Sequence, residues 1–256
     1  MTKKTSCFQQ KKGQITIFII IGLIFVVLIV MAFSFFMKPT IIVSDENPGA
    51  YIEKCMKDSF NDVENILLEQ GGSLNPGLYK FYNGKNVTYI CYTKDFYKQC
   101  VMVQPLLVRH IAKEIENYSR EKMENCFQTL KTNLLEKGYQ VELGENMELT
   151  TELALGSVKM IIKRDLSVVK EDSKNFKEFR SFSASPLYDL AMVVQEIGAE
   201  EAKFCYFDYL GYMMLYNFDI TRFQTGDMNK IYTISKKGDI KKMNVAVRSC
   251  ALPQGL

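Results

Sequence analysis

One stretch of the sequence, from Ile15 to Met37, constrains the fold more than any other. It reads ITIFIIIGLIFVVLIVMAFSFFM and contains no charged residue. As an α-helix this stretch of 23 residues would measure roughly 34 Å, enough to cross a hydrocarbon core of about 30 Å. The stretch therefore predicts a transmembrane helix over residues 15–37.

The charges on either side of this span predict its orientation. Four lysines and no acidic residue precede it, whereas Lys38 is soon followed by Asp45 and Glu46. The positive-inside rule then places residues 1–14 in the cytoplasm and the rest of the chain outside. The apolar run is too long for a secretory signal and lacks a small-residue cleavage site. We therefore expect a single-pass protein retained in the cell membrane.

The junction before the span, Lys-Lys-Gly-Gln at residues 11–14, resembles the class III signal peptides of archaeal type IV pilin-like proteins. In that family a prepilin-type peptidase cuts on the cytoplasmic side, directly after the glycine. The resemblance implies cleavage between Gly13 and Gln14, loss of residues 1–13 as a leader, and assembly with other pilin-like subunits. It predicts a minor subunit of a type IV pilus-like structure, with its apolar helix buried among neighbouring helices.

Two departures from the family pattern leave a second interpretation open. The family continues with Ser and then Glu at two-residue intervals after the glutamine, and this chain has Thr16 and Phe18 there. Pilin stalk helices also run well past the membrane, whereas Pro39 is expected to end or kink this helix. The alternative is an uncut signal anchor that carries a receptor or adhesin domain. Two short pieces, Gln70-Gly71-Gly72 and Arg248-Ser249-Cys250, are similar to uncharacterised, membrane-anchored archaeal proteins with the same start.

The remaining residues predict an α+β outer domain. After a stalk over residues 38–47, helical periodicity alternates with runs of β-branched and aromatic residues that turn signals interrupt. We expect a helix-hairpin-helix subdomain over 48–138 and an α+β subdomain with an antiparallel meander over 139–256. The predicted helices begin at Pro48, Pro105 and Ser185, with a helical continuation through 209–216. The predicted strands are Tyr89–Tyr92, Gln99–Val103, Tyr139–Leu143, Leu149–Leu155, Val158–Lys163, Leu166–Lys170, Phe176–Phe182, Lys230–Ser235 and Lys241–Ser249.

Six of the seven cysteines follow the span, an even number in a compartment where disulfides persist. Only Cys7 precedes it. Six cysteines allow 15 connectivities, and the sequence alone does not choose between them. The positions of the predicted elements favour local pairing, and the alternative is buried free thiols that pack as small hydrophobic side chains. The favoured pairs are Cys91 with Cys100, Cys55 with Cys126, and Cys205 with Cys250.

Signals for catalysis and for metal or cofactor binding are weak. His110 is the only histidine, and the sequence contains no Cys-x-x-Cys, no Gly-x-Ser-x-Gly and no phosphate-binding loop. The net charge of +3 is smaller than the charge of the four lysines in the N-terminal tail. The outer part therefore offers no basic surface for nucleic acid. We expect a membrane protein that binds or assembles, that is not an enzyme and that holds no cofactor or metal. Sequons at Asn86 and Asn117 are candidate N-glycosylation sites.

Overall fold

The computed structural model describes residues 20–29 and 47–250. Residues 20–29 form helix α1, whose large apolar side chains are exposed, and this helix belongs to a different unit from the domain of residues 47–250. In these two ranges no helix is both long enough and apolar enough to cross a membrane. The rest of the expected span, together with Cys7, Gly13 and Gln14, lies outside the described residues.

The domain of residues 47–250 is an α+β fold with four helices and ten strands. The helices are α2 (Pro48–Glu69), α3 (Leu107–Glu136), α4 (Leu187–Phe204) and α5 (Tyr209–Leu215). The strands are β1 (Tyr79–Tyr82), β2 (Lys85–Tyr92), β3 (Val101–Met102), β4 (Gln140–Leu143), β5 (Glu148–Ala154), β6 (Ser157–Val169), β7 (Ser173–Ala184), β8 (Phe218–Gln224), β9 (Asn229–Lys236) and β10 (Lys242–Arg248).

Helix α2 begins and ends where its sequence signals predict. The Asn47 side chain accepts a hydrogen bond from the Ala50 backbone N–H at 3.3 Å, and Pro48 occupies the first turn, where its missing N–H costs nothing. Gly71 follows the helix with a φ of +73°, a conformation that glycine adopts without strain. The apolar side chains that recur at helical spacing are buried, namely Ile52, Met56, Phe60, Val63 and Leu67.

The strands form two sheets. The larger sheet has the order β1-β2-β10-β9-β8, with β3 paired to β2. The smaller sheet places β6 between β7 on one side and β4 and β5 on the other. Strands β2 and β10 pair in parallel, and every other pairing among the described strands is antiparallel.

The two subdomains expected over 48–138 and 139–256 are not separate in the structure. Strand β2 from the first half pairs with β10 from the second, and one hydrophobic core takes residues from both halves. The expected strands Val158–Lys163 and Leu166–Lys170 are one long strand, β6, with an irregular register between Lys163 and Leu166. Two strands were not predicted, β1 and β8, and both lie at the edges of the larger sheet.

Three disulfides connect elements of the domain. They join Cys55 in α2 to Cys126 in α3, Cys91 in β2 to Cys100, and Cys205 at the end of α4 to Cys250 after β10. These are the pairs that the positions of the predicted elements favoured. Three disulfides suggest that the domain folds in an oxidising, extracellular environment.

Candidate binding surface at one end of the domain

The single histidine contacts a serine, but the group does not have the geometry of a catalytic triad. His110 Nε2 lies 2.9 Å from the Ser73 hydroxyl, and the nearest carboxylate, Glu114, lies 3.7 Å from the same nitrogen. In a triad the carboxylate orients the base through its other ring nitrogen. The second oxygen of Glu114 accepts a hydrogen bond from the Leu74 backbone N–H at 3.0 Å. These contacts fix the loop after α2 against α3.

A buried polar cluster surrounds Lys230 on β9. Its ammonium donates to Glu201 Oε2 at 2.6 Å, to the Cys205 carbonyl at 2.6 Å and to the Ser249 hydroxyl at 3.0 Å. The Tyr232 hydroxyl donates to the other oxygen of Glu201. Burial lowers the pKa of the Lys230 ammonium, although Glu201 acts in the opposite direction. Burial, followed by the charge of Glu201, raises the pKa of the Tyr232 phenol.

This cluster joins the end of α4 to the end of β10, beside the Cys205–Cys250 disulfide. Glu201 is completely buried, and the Lys230 side chain is only 7% exposed, so the cluster has little access to a substrate. The sequence analysis does not predict this cluster. The signal was present, because Lys230, Tyr232 and Ile234 are spaced two residues apart and therefore share one face of a β-strand, where all three are buried.

The most exposed apolar side chains of the domain are gathered at one end. Ile240 is 90% exposed, Met214 87%, Leu215 80% and Leu155 78%; among the other large hydrophobic residues of 47–250, Tyr97 at 79% and Val101 at 73% come nearest. Met214 and Leu215 end α5, a helix without a single buried residue. We call Leu155, Met214, Leu215 and Ile240 the apolar end.

Direct contacts join the three segments that carry the apolar end. The Gly156 N–H donates to Asp189 Oδ2 at 3.0 Å, and the same oxygen of Asp189 lies 3.1 Å from Lys236 Nζ. The Lys237 ammonium then donates to the Met213 carbonyl in α5 at 2.9 Å. The β5–β6 turn, the β9–β10 turn and the end of α5 therefore meet at one edge of the domain.

The chain enters the domain at the opposite end of the smaller sheet. Pro48, the first residue of α2, lines a surface cavity together with Lys170 and Asp172 of the β6–β7 turn. Leu155 lies beside the other end of β6, a strand of 13 residues. At about 3.3 Å per residue, these two turns are roughly 40 Å apart. The apolar end is thus remote from the point where the N-terminal segment joins the domain.

The apolar end also carries lysines that form no ion pair with a carboxylate of the described residues. Lys236 pairs with Asp189, and Lys241 pairs with Glu64 at 2.6 Å. Lys237 donates only to backbone carbonyls, and Lys242 has no ion pair with any residue of 20–29 or 47–250. An exposed apolar cluster rimmed by polar side chains is a candidate contact surface.

The two glycosylation candidates lie in different settings. Asn86 belongs to β2, where it pairs with Phe81 and is half-buried, while Asn117 is exposed on α3. Asn117 is therefore the more accessible of the two.

Comparison with protein-family models, curated proteins and solved structures finds no match to this chain.

Proposed function

We propose that this chain is a single-pass, membrane-anchored surface protein whose extracytoplasmic domain binds a partner through its apolar end. The observation that carries the proposal is that this surface lies beside one end of β6, whereas the chain enters the domain beside the other end, a strand length of roughly 40 Å away. A domain tethered at one end offers its opposite end to other molecules. The exposed aliphatic side chains there lie outside the hydrophobic core of residues 47–250.

Two further features support the anchored, extracytoplasmic location. The uncharged stretch over residues 15–37 is long enough for a membrane span, and its described part, residues 20–29, is helical with exposed apolar side chains. Three disulfides fit an oxidising compartment on the outer side.

The location is tested on protein purified from native membranes, by counting alkylated cysteines in the intact mass with and without reduction. We expect the protein in the membrane fraction, with the six outer cysteines unreactive until they are reduced. Recovery in the soluble fraction with freely reactive outer thiols would overturn the proposed location.

The role of the apolar end is tested with the double substitution Met214→Glu/Ile240→Glu. Full-length protein in lipid nanodiscs is sedimented with fragments of the native cell envelope, and the bound fraction is measured. Burying two such side chains contributes about 1.5–3 kcal/mol each, so we expect the substitution to weaken binding by about tenfold or more. The matched control is Tyr97→Glu, which changes an equally exposed residue that lies outside the apolar end. Equal binding by all three proteins would refute the proposal.

A second candidate, a pilin-like filament subunit, is favoured by the junction at residues 11–14. The outer domain gives it less support, because Asn47 has a non-helical backbone and α2 begins as a new helix with its own cap. N-terminal sequencing separates the candidates. A mature protein that begins at Gln14 and sediments with surface filaments would favour the subunit, whereas one that begins at Met1 or Thr2 would favour the plain anchor.

A further inference from the structure

A groove separate from the apolar end lies between the first turns of α3 and α4, over strand β5. Its volume is about 430 Å³, within the range of small-molecule sites. Most of the side chains that line it are apolar, and two of them are substantially exposed, Leu106 by 63% and Met192 by 48%. The Gln195 amide donates to the Pro105 carbonyl at 2.6 Å and so joins α4 to the segment that leads into α3. We call this the α3/α4 groove.

The floor of the α3/α4 groove contains a buried hydroxyl with no hydrogen-bond partner among the described residues. Thr151 lines the groove and is only 8% exposed, and its Oγ1 makes no hydrogen bond within the described part of the chain. The backbone N–H of the same residue is satisfied, since it donates to Glu116 Oε1 at 2.8 Å. Buried hydroxyls are normally hydrogen-bonded, so an unpaired hydroxyl in the floor of a groove indicates that its partner is missing.

The wall of the groove contains an exposed cation, Arg109. Arg109 lines the groove from α3 and makes no ion pair or hydrogen bond with any residue of 20–29 or 47–250. A guanidinium group is always charged and matches the geometry of a carboxylate, to which it donates two parallel hydrogen bonds.

We propose that the α3/α4 groove binds an amphipathic monocarboxylate, an apolar chain that ends in a single carboxylate group. The apolar lining holds the chain, Arg109 pairs with the carboxylate, and the Thr151 hydroxyl supplies a further hydrogen-bonding group inside the groove. The volume suits a small molecule rather than a segment of another protein. This binding does not depend on the apolar end or on the anchor.

Octanoate is the probe that we would use, with octanol and octylammonium as neutral and cationic analogues of the same chain. Affinities are measured by calorimetry on full-length protein in zwitterionic nanodiscs, with empty nanodiscs as the reference. We expect octanoate to bind more tightly than octanol, and octylammonium to bind most weakly.

Three variants locate the site. Arg109→Gln is expected to weaken octanoate binding by about tenfold, which corresponds to about 1.4 kcal/mol, and to leave octanol binding unchanged. The matched control Lys113→Gln removes an exposed charge one turn further along α3 and is expected to change neither affinity. Ala112→Trp fills the groove and is expected to abolish binding of both probes, with the melting temperature measured to verify folding.

Two results would overturn the proposal. One is equal binding of octanoate and octylammonium, and the other is equal loss of octanoate binding in Arg109→Gln and Lys113→Gln. A photoreactive fatty acid adds an independent readout, because it should label residues 106–112 and 188–195. Labelling elsewhere in the domain would likewise refute the assignment, without bearing on the proposed function.

Discussion

At the scale of single residues, the Lys230–Glu201 pair dominates the buried electrostatics of the domain. Replacing Lys230 alone by Met leaves the Glu201 carboxylate buried without its cation, and losses of about 3–5 kcal/mol are usual when one partner of a buried pair is removed. We expect Lys230→Met to lower the free energy of unfolding by about this amount in urea denaturation. The double variant Lys230→Met/Glu201→Leu should recover part of the loss, because neither charge then remains.

The control for this pair is Lys242→Met, which removes an exposed lysine with no ion pair among the described residues. Its effect should stay within about 0.5 kcal/mol, the usual range for surface substitutions. A double variant as unstable as the sum of its single variants would show that the two charges are not coupled.

A second residue-scale prediction concerns the acid stability of the domain. Arg164 donates two hydrogen bonds to Glu124, at 2.6 and 3.1 Å, and these bonds, followed by one from Gln128, lower the pKa of the Glu124 carboxyl. Because the folded state holds this proton less tightly than the unfolded state, Glu124 contributes stability above its unfolded pKa, near 4.3. This contribution is lost as the pH falls through the lower, folded value.

We therefore expect the unfolding free energy of the wild type to fall between about pH 5 and pH 3, and to fall less in Glu124→Gln. Urea denaturation at several pH values measures the slope. Glu121→Gln, an exposed substitution on the same helix, serves as the control and should keep the wild-type slope. Identical slopes in all three proteins would contradict the prediction.

The sequence predicted the contacts of single residues only where the partner is close in the chain or lies in an element that was itself predicted. Cys91 and Cys100 are nine residues apart, so a hairpin was enough to suggest their pairing. The partners of Lys230 come from α4 and from the end of β10, and no local pattern points to them. Arg109 and Thr151 were likewise missed, because they line one groove only after α3 packs against β5.

At the scale of elements, the turn after α2 sets how this helix meets the larger sheet. A β-carbon on Gly71 would lie 2.8 Å from the Asn244 carbonyl oxygen of β10, and the φ of this residue is +73°. Gly84, in the β1–β2 turn, has a similar φ of +78° but no atom within 4 Å of such a β-carbon. An alanine in place of Gly84 would therefore suffer backbone strain alone, whereas an alanine in place of Gly71 would suffer the same strain together with a steric clash.

We expect Gly84→Ala to cost about 1–2 kcal/mol, the strain of a left-handed backbone alone. Gly71→Ala should cost clearly more, since the backbone of β10 must also move. Thermal unfolding of the two variants measures the difference. Equal melting temperatures would mean that α2 and β10 adjust freely, against the tight packing seen in the structure.

Helices were predicted more accurately than strands, for a physical reason. The apolar faces of α2, α3 and α4 recur every three or four residues, and this spacing is visible without knowledge of the partner. Strand β8 lies at a sheet edge and most of its side chains are exposed, so apolar and polar residues alternate only weakly along it. The apolar residues of α5 would be expected in a core, and nothing local predicts that Met214 and Leu215 face solvent.

At the scale of the whole molecule, the parallel pairing of β2 with β10 joins the two halves of the domain. This pairing brings together residues more than 150 positions apart, such as Cys91 and Val247. Local patterns carry no information about such a contact, which explains why two subdomains were expected. The core is continuous across the boundary at Gly138, and Glu64 of α2 pairs with Lys241 beside β10.

No disulfide among the described residues crosses that boundary. Two of the three bonds lie before Gly138 and the third lies after it. A protease site inserted at Gly138, where a β-carbon would meet no atom within 4 Å, should therefore cut the chain into two parts held only by non-covalent packing. We expect the cut protein to elute as one species in native gel filtration, and to separate in denaturant without a reducing agent.

The matched control is the same insertion at Gly226, in the turn between β8 and β9, which is equally open. The Cys205–Cys250 bond spans this position, so the two fragments should stay linked in denaturant until they are reduced. Separation of the Gly138 fragments already under native conditions would show that the halves are independent subdomains. The shared core and the β2–β10 pairing predict instead that the domain folds and unfolds as one unit.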